Sequence, residues 1–252
     1  MRTHTQSTLA TLALACTAAL LAACAAAPAP APTPADTPSG ALVPLASVAP
    51  TVVQDMRYFT HRNFVGRPIA GYQAPQCWLS RPAAQALAQV QQALAGQGLG
   101  LKVFDCYRPQ QAVDDFVRWG ADLADQRTKA EYYPRVPKSE LFARGYIAEK
   151  SGHSRASTAD LTLVVHDATR AARVLQGPLV ARQEVDMGTP FDLFDEQSHT
   201  ESANVSAPAR HNRLWLRTLM QQHGWRNLPE EWWHYTLVNE PWPQRYFTEP
   251  VR

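Results

Sequence analysis

Two titratable groups stand inside stretches that read as buried strands, and this most restricts the folds open to the chain. Asp160 opens the apolar run Leu161-Thr162-Leu163-Val164-Val165, and His234 lies within Trp232-Trp233-His234-Tyr235-Thr236-Leu237-Val238. Both runs are rich in β-branched and aromatic residues, as strands with a buried face are. An unpaired charge there is costly, so the fold has to bring each group a partner.

Elsewhere the sequence supplies one. His153 sits in Ser151-Gly152-His153-Ser154-Arg155-Ala156-Ser157-Thr158-Ala159-Asp160, and Glu231 precedes His234 in Glu231-Trp232-Trp233-His234-Tyr235. Two imidazoles and a carboxylate with a second carboxylate nearby form the inventory of a catalytic zinc site, which takes three protein ligands and leaves a position for water. His153, Asp160 and His234 are the candidate ligands of one zinc ion per chain. Glu231 is the candidate base for a water whose pKa the metal lowers.

These segments resemble a known family, the D-alanyl-D-alanine dipeptidases of peptidase family M15, which includes the vancomycin-resistance-type zinc dipeptidases. The resemblance rests on Asp105-Cys106-Tyr107-Arg108-Pro109, the His153 to Leu163 segment, Met187-Gly188-Thr189-Pro190-Phe191-Asp192 and Glu231-Trp232-Trp233-His234-Tyr235. The segments occur in the family's order and span most of the chain from about Val52 onward. The resemblance implies a fold shared with zinc DD-peptidases and the hedgehog signalling domain. It also implies zinc ligation by His153, Asp160 and His234, general base and acid catalysis by Glu231, and oxyanion stabilisation by Arg108. It further implies that Asp192 meets the substrate ammonium and Ser151 helps to hold the substrate carboxylate. The chain departs from the family at Ala156, where Gly is usual. If that position requires positive φ, Ala is strained there.

The resemblance gives the expected function as zinc-dependent hydrolysis of D-alanyl-D-alanine. The alternatives are a peptidoglycan D,D-carboxypeptidase or endopeptidase and a non-catalytic peptidoglycan-binding lipoprotein with structural zinc. Glu231 and Arg108 argue against the last, because structural zinc needs neither a base nor an oxyanion donor.

The first residues address the chain. Arg2 precedes an apolar run from Leu9 to Leu21 that ends in Leu21-Ala22-Ala23-Cys24, a secretory signal too short to make a good membrane span. The ending resembles a bacterial lipobox, implying cleavage after residue 23 and lipidation of Cys24; the alternative is an ordinary signal peptide with an incidental Cys. Ala25 rather than Asp follows the lipidated residue, and resemblance to diderm lipoproteins then implies the outer membrane and a periplasmic enzyme. Residues 24–50 are rich in Ala and Pro and read as an extended tether. The enzymatic body is expected over residues 51–252, enough for one domain.

Composition excludes other classes. With 24 basic and 22 acidic residues the formal charge is +2, or +1 without Arg2. There is no Lys/Arg run and no Gly-rich phosphate loop, so nothing favours nucleic acid. The expected partners are a small dipeptide and, through the anchor, a membrane. Beyond Cys16 and Cys24 the body holds only Cys77 and Cys106. In an oxidising compartment such a pair is expected as a disulfide. Metal binding by the pair is the rival, without partners at zinc-finger spacing.

Local patterns give an α+β domain whose central, mainly antiparallel sheet is flanked by helices. Ser80 caps a helix with Pro82 in its first turn, running through Ala83 to Leu94 and stopping at Gly96 and Gly98. Leu99 to Tyr107 alternates as a strand, Leu101, Val103 and Asp105 facing one way. A second helix starts near Gln110 with Val113, Phe116, Val117 and Leu123 at helical spacing, and a late helix spans Arg213 to His223 with Trp215 and Leu219 on one face. Lys129 to Tyr146 reads as a loop over the core in which Tyr133 packs rather than binds. His61, His166, His211 and His223 read as surface residues, and His199 as an aid to ordering the Asp192 segment.

Overall fold

The computed structural model describes Met1 and residues 41–252. The expected signal at residues 1–23, the lipidation site Cys24 and the tether up to residue 40 lie outside the described residues, Met1 apart. In chain order the strands are β1 (Leu42–Pro44), β2 (Val53–Gln54), β3 (Trp78–Ser80), β4 (Leu99–Asp105), β5 (Thr158–Val165), β6 (Trp225–Leu228) and β7 (Glu231–Leu237). The helices are α1 (Arg81–Gly96), α2 (Gln110–Ala121), α3 (Lys129–Tyr132), α4 (Ala168–Ala171) and α5 (Ala207–Gln222).

A five-stranded sheet runs in the order β2-β4-β5-β7-β6, and β1 pairs with β3 in a small second sheet. Among the strands just named, only β2 and β4 pair in parallel; the other strand pairings are antiparallel. Helix α1 packs on β4, and α5 packs on β6 and β7. This is the α+β architecture expected, a mainly antiparallel sheet with helices against it. Every residue of β5 is buried, Asp160 and the two threonines included, as the position of the strand in the middle of a covered sheet requires. No helix among the described residues is long and apolar enough to cross a membrane.

Helix α1 starts where the Ser80 hydroxyl accepts from the Ala83 amide at 3.3 Å, with Pro82 in the first turn. Its buried stripe is Ala83, Ala84, Leu87, Val90, Gln91 and Leu94, at the spacing of one helical face. The same signature opens α5, where the Ser206 hydroxyl accepts from the Ala209 amide at 3.2 Å ahead of the turn holding Pro208.

Four expectations need correction. Leu42 and Leu45 are buried in the core and Leu42 lies in β1, so residues 41–50 belong to the body rather than the tether. Helix α2 ends at Ala121, leaving Leu123 outside it and 54% exposed; Trp119 packs in its place. Helix α5 begins at Ala207 instead of Arg213, and its buried face is Ala209, Asn212, Arg213, Leu216 and Met220, with Trp215 and Leu219 only partly covered. The alternation along β4 breaks between Val103 and Asp105, where the register against β5 slips by one residue. That bulge brings Asp105 level with Asp160.

The Sγ atoms of Cys77 and Cys106 lie at disulfide distance, 1.99 Å, with Cα atoms 5.3 Å apart. Tyr133 is fully buried against Trp119, a packing role.

Candidate metal centre and active site

Asp160 on β5 and His234 on β7 are directly paired across the two strands. Opposed residues of an antiparallel pair project from the same face, so this register alone puts the carboxylate beside the imidazole. His234 Nδ1 stands 3.1 Å from Asp160 Oδ1. His153 arrives from the short 3-10 turn Gly152–Arg155 that leads into β5, with its Nε2 3.3 Å from Asp160 Oδ1 and 3.4 Å from His234 Nδ1. That turn is opened by Ser151, whose hydroxyl accepts from the His153 amide, and closed by Ala156 at φ 59° and ψ 26°. The position usually occupied by Gly does adopt the left-handed conformation, and Ala occupies it here.

The donor set fits a divalent cation. Asp160 Oδ1 is buried and makes no hydrogen bond, an arrangement costly for a carboxylate unless something else satisfies it. His153 Nδ1 lies 2.7 Å from the Cys106 carbonyl. Its proton therefore belongs there, which turns the lone pair of Nε2 toward the cluster. Charge points the same way. Burial would raise the Asp160 pKa, but His153 and His234 hold it well below the usual carboxylate range. Burial would lower the His234 imidazole, yet the neighbouring carboxylates of Asp160 and Glu231 take it up to about 9. The cluster attracts positive charge, and a bound metal supplies it once the imidazoles are neutral.

Glu231 and Arg108 flank this cluster. Glu231 Oε2 is 3.3 Å from His234 Nδ1. Arg108 donates from Nε to Asp105 Oδ2 at 2.9 Å and places Nη2 3.7 Å from Asp160 Oδ2. Its guanidinium lies 5.0 Å from the centroid of Tyr58 and 5.2 Å from that of Phe116, against two rings that also pack on each other, which favours the charged form and restricts its orientation.

Asp192 is buried at φ 61° and accepts from the Tyr58 hydroxyl at 3.0 Å. Burial, reinforced by the negative charges of Asp160 and Glu231, pushes its pKa well above the ordinary carboxylate value. Among the described residues no cationic side chain stands at ion-pair distance from it, and the Tyr58 hydroxyl is its hydrogen-bond partner. A cavity of about 240 Å³ joins these groups, and Ser151, Asp192, Tyr146 and Phe194 line it together with the His153, Asp160 and His234 cluster. All seven positions singled out for metal, catalysis or substrate thus face one cavity. His61 and His166 lie exposed, His211 and His223 partly so, and the His199 ring packs near Tyr146.

Sequence reasoning missed Tyr58, Tyr72 and the role of Asp105. Tyr72 donates to Asp105 Oδ1 at 2.6 Å, and Asp105 Oδ2 also stands 3.4 Å from His153 Nδ1. Asp105 therefore links the arginine to the imidazole. A lone carboxylate ending an apolar strand was the available signal for it; the two tyrosines come from irregular segments and carried none.

One family profile and three individual relatives match the sequence of this chain. The sequence profile described as D-ala-D-ala dipeptidase matches residues 39–252. A D-alanyl-D-alanine dipeptidase of Enterococcus faecalis is 40% identical over 197 residues, covering 78% of this chain and 91% of the relative. One from Streptomyces coelicolor is 41% identical over 197 residues, with coverage of 78% and 91%. One from Escherichia coli is 31% identical over 196 residues, with coverage of 78% and 84%.

Proposed function

Because this chain belongs to the D-Ala-D-Ala dipeptidase family and is a metallopeptidase of that kind, we propose that it hydrolyses D-alanyl-D-alanine to two molecules of D-alanine with one zinc ion, outside the cytoplasm. The observation that carries this reading is the meeting of His153, Asp160 and His234 in one cavity, with Glu231 3.3 Å from His234 and the Arg108 Nη2 3.7 Å from Asp160.

Zinc held by His153, Asp160 and His234 would supply Lewis acidity toward the scissile carbonyl and toward water. Glu231 accepts the proton of the attacking water and returns it to the departing amine. Arg108 offers N–H donors and a fixed positive charge to the oxyanion that develops on the carbonyl, held in place by Asp105. Asp192 receives the substrate ammonium, and its proton is released when that cation neutralises the buried carboxylate. The Ser151 hydroxyl, accepting from the His153 amide, still has its own hydrogen to donate to the substrate carboxylate. A free dipeptide presents both ends to this cavity, whereas a longer peptide lacks an ammonium beside the scissile bond.

The export reading rests on the lipobox resemblance at Leu21 to Cys24, and the Cys77 and Cys106 pair at disulfide distance supports an oxidising compartment. An outer-membrane lipoprotein would act on cell-wall fragments in the periplasm. Membrane fractionation with a Cys24→Ala variant tests this; an anchored variant overturns the lipidation.

The decisive experiment is turnover by the zinc-loaded protein of D-Ala-D-Ala, L-Ala-L-Ala and a stem peptide ending in D-Ala-D-Ala, with Glu231→Ala as control. Release of D-alanine from the free D,D-dipeptide alone, lost in the control, is the expected result. Preferential cleavage of the stem peptide overturns it in favour of cell-wall trimming.

A further inference from the structure

Glu231 and His234 should not point at the same place. In a regular strand successive side chains alternate, so Glu231 and Trp233 take one face while Trp232 and His234 take the other. Yet Glu231 Oε2 and His234 Nδ1 are 3.3 Å apart.

The pairing of β6 with β7 explains how. Trp225, Arg226 and Asn227 lie opposite Leu237, Thr236 and Tyr235 in step, but the next pair is Leu228 with Glu231. One step along β6 therefore corresponds to four along β7, and Trp232, Trp233 and His234 form the excess. The carbonyls of Glu231 and His234 bound this distortion. Both accept from one atom, Asn227 Nδ2, at 3.0 Å each. The amide is oriented in turn by Thr200, whose buried hydroxyl donates to Asn227 Oδ1 at 2.6 Å and whose backbone amide donates to the Pro229 carbonyl at 2.9 Å.

We infer that Asn227, oriented by Thr200, is a positioning residue for the reaction: its side-chain amide holds β7 in the distorted register that turns Glu231 and His234 toward one point. The chemistry is specific to Asn. Two N–H donors from one nitrogen bridge two carbonyls while the oxygen receives a hydroxyl. Asp is acceptor-only when ionised and would set its charge against both carbonyls, and Gln carries the amide one methylene further out. Asn227 acts only through other residues, and the inference rests on the reading of Glu231 and His234 as base and ligand.

The test uses Asn227→Ala, Asn227→Asp, Thr200→Val and Thr200→Ser in the full chain. It reads kcat and KM for D-Ala-D-Ala, zinc affinity by chelator competition, and Tm. Partners that orient metal ligands are worth about 10–100-fold in affinity or activity. Both Asn227 variants should lose about that much in kcat and in zinc affinity, with KM changed by less than about threefold. Thr200→Val should move the same two quantities in the same direction by less, and Thr200→Ser, which keeps the hydroxyl, should restore them. A lowered Tm with kcat and zinc affinity unchanged overturns the inference, as does Thr200→Ser behaving like Thr200→Val. Should Asn227→Ala fail to fold, the Thr200 pair decides. A wild-type chain that binds zinc but leaves D-Ala-D-Ala intact refutes the proposed function, and the zinc-affinity comparison still decides the role of Asn227.

Discussion

Asp105 and Arg108 form an ion pair of 2.9 Å inside the protein, the carboxylate fully buried and the guanidinium largely so. Asp105 ends β4 and Arg108 lies in the loop that follows, so the pair is local in sequence. Its effect reaches further, because the other contacts of Asp105 are the Tyr72 hydroxyl and the His153 ring. Burial pushes the Asp105 pKa up although Arg108 and His153 oppose it, so the carboxylate depends on those cationic neighbours. Arg108→Lys should lower kcat by about 10²–10³-fold, the usual cost of a lost oxyanion donor. Asp105→Asn should lower it by less while leaving Arg108 in place, and steady-state kinetics on both variants checks this order.

Asp192→Ala should weaken turnover of D-Ala-D-Ala far more than it weakens zinc binding, since Asp192 is not among the three grouped ligand atoms. The discriminating measurement compares the free dipeptide with an N-acetylated one. The variant should lose its advantage for the free ammonium; equal losses in turnover and metal content would contradict the role.

Ala156 at φ 59° sits in a conformation that disfavours any Cβ. Ala156→Gly removes that strain and should stabilise the fold by about 1 kcal/mol, less the entropy gained by the unfolded chain. Chemical denaturation of the two proteins measures it. Because Ala156 closes the turn bearing His153, zinc affinity should stay within about threefold of the wild type, the ligand geometry being unchanged.

Joining Cys77 to Cys106 closes a loop with a sequence separation of 29. In the chain-entropy model this stabilises by about 3–4 kcal/mol. Cys77→Ala with Cys106→Ala, or reduction of the wild type, should lower stability by that order. Since the Cys106 carbonyl receives His153 Nδ1, weaker zinc binding should accompany it.

Acid should destabilise the fold partly through Asp115, which accepts from both Arg67 Nη atoms, Arg118 Nη2 and the Ala70 amide. Burial would raise its pKa, but these donors bring it below the usual value. A carboxyl lowered on folding contributes stability that is fully present above its unfolded value of about 4 and lost as pH falls through the folded value. Stability of the wild type should therefore drop more steeply below about pH 5 than that of Asp115→Asn, as urea titrations at several pH values would show.

Some of this protein was written in local residue order. The cap and proline at Ser80 and Pro82, the apolar run after Asp160 and the aromatic run around His234 each state an element by its own period and ends. The donor types needed for a metal, and the Arg-Pro motif, were legible for the same reason: a residue's chemistry does not depend on its neighbours in space. Signals of that kind could also be passed over, as at Ser206 and Pro208, which mark the start of α5 as plainly as Ser80 and Pro82 mark α1.

Tertiary structure alone decided the rest. Strand β6, the slip that brings Asp105 level with Asp160, and the three-residue excess that turns Glu231 toward His234 all depend on which residue of a distant strand lies opposite. Tyr58 and Tyr72 reach the site across long chain separations and from irregular segments, so no periodicity announces them. Period and capping are properties of a few consecutive residues. Register and bulges are set by the pairing of whole strands, where the covering core and side chains such as Asn227 select one alignment among several.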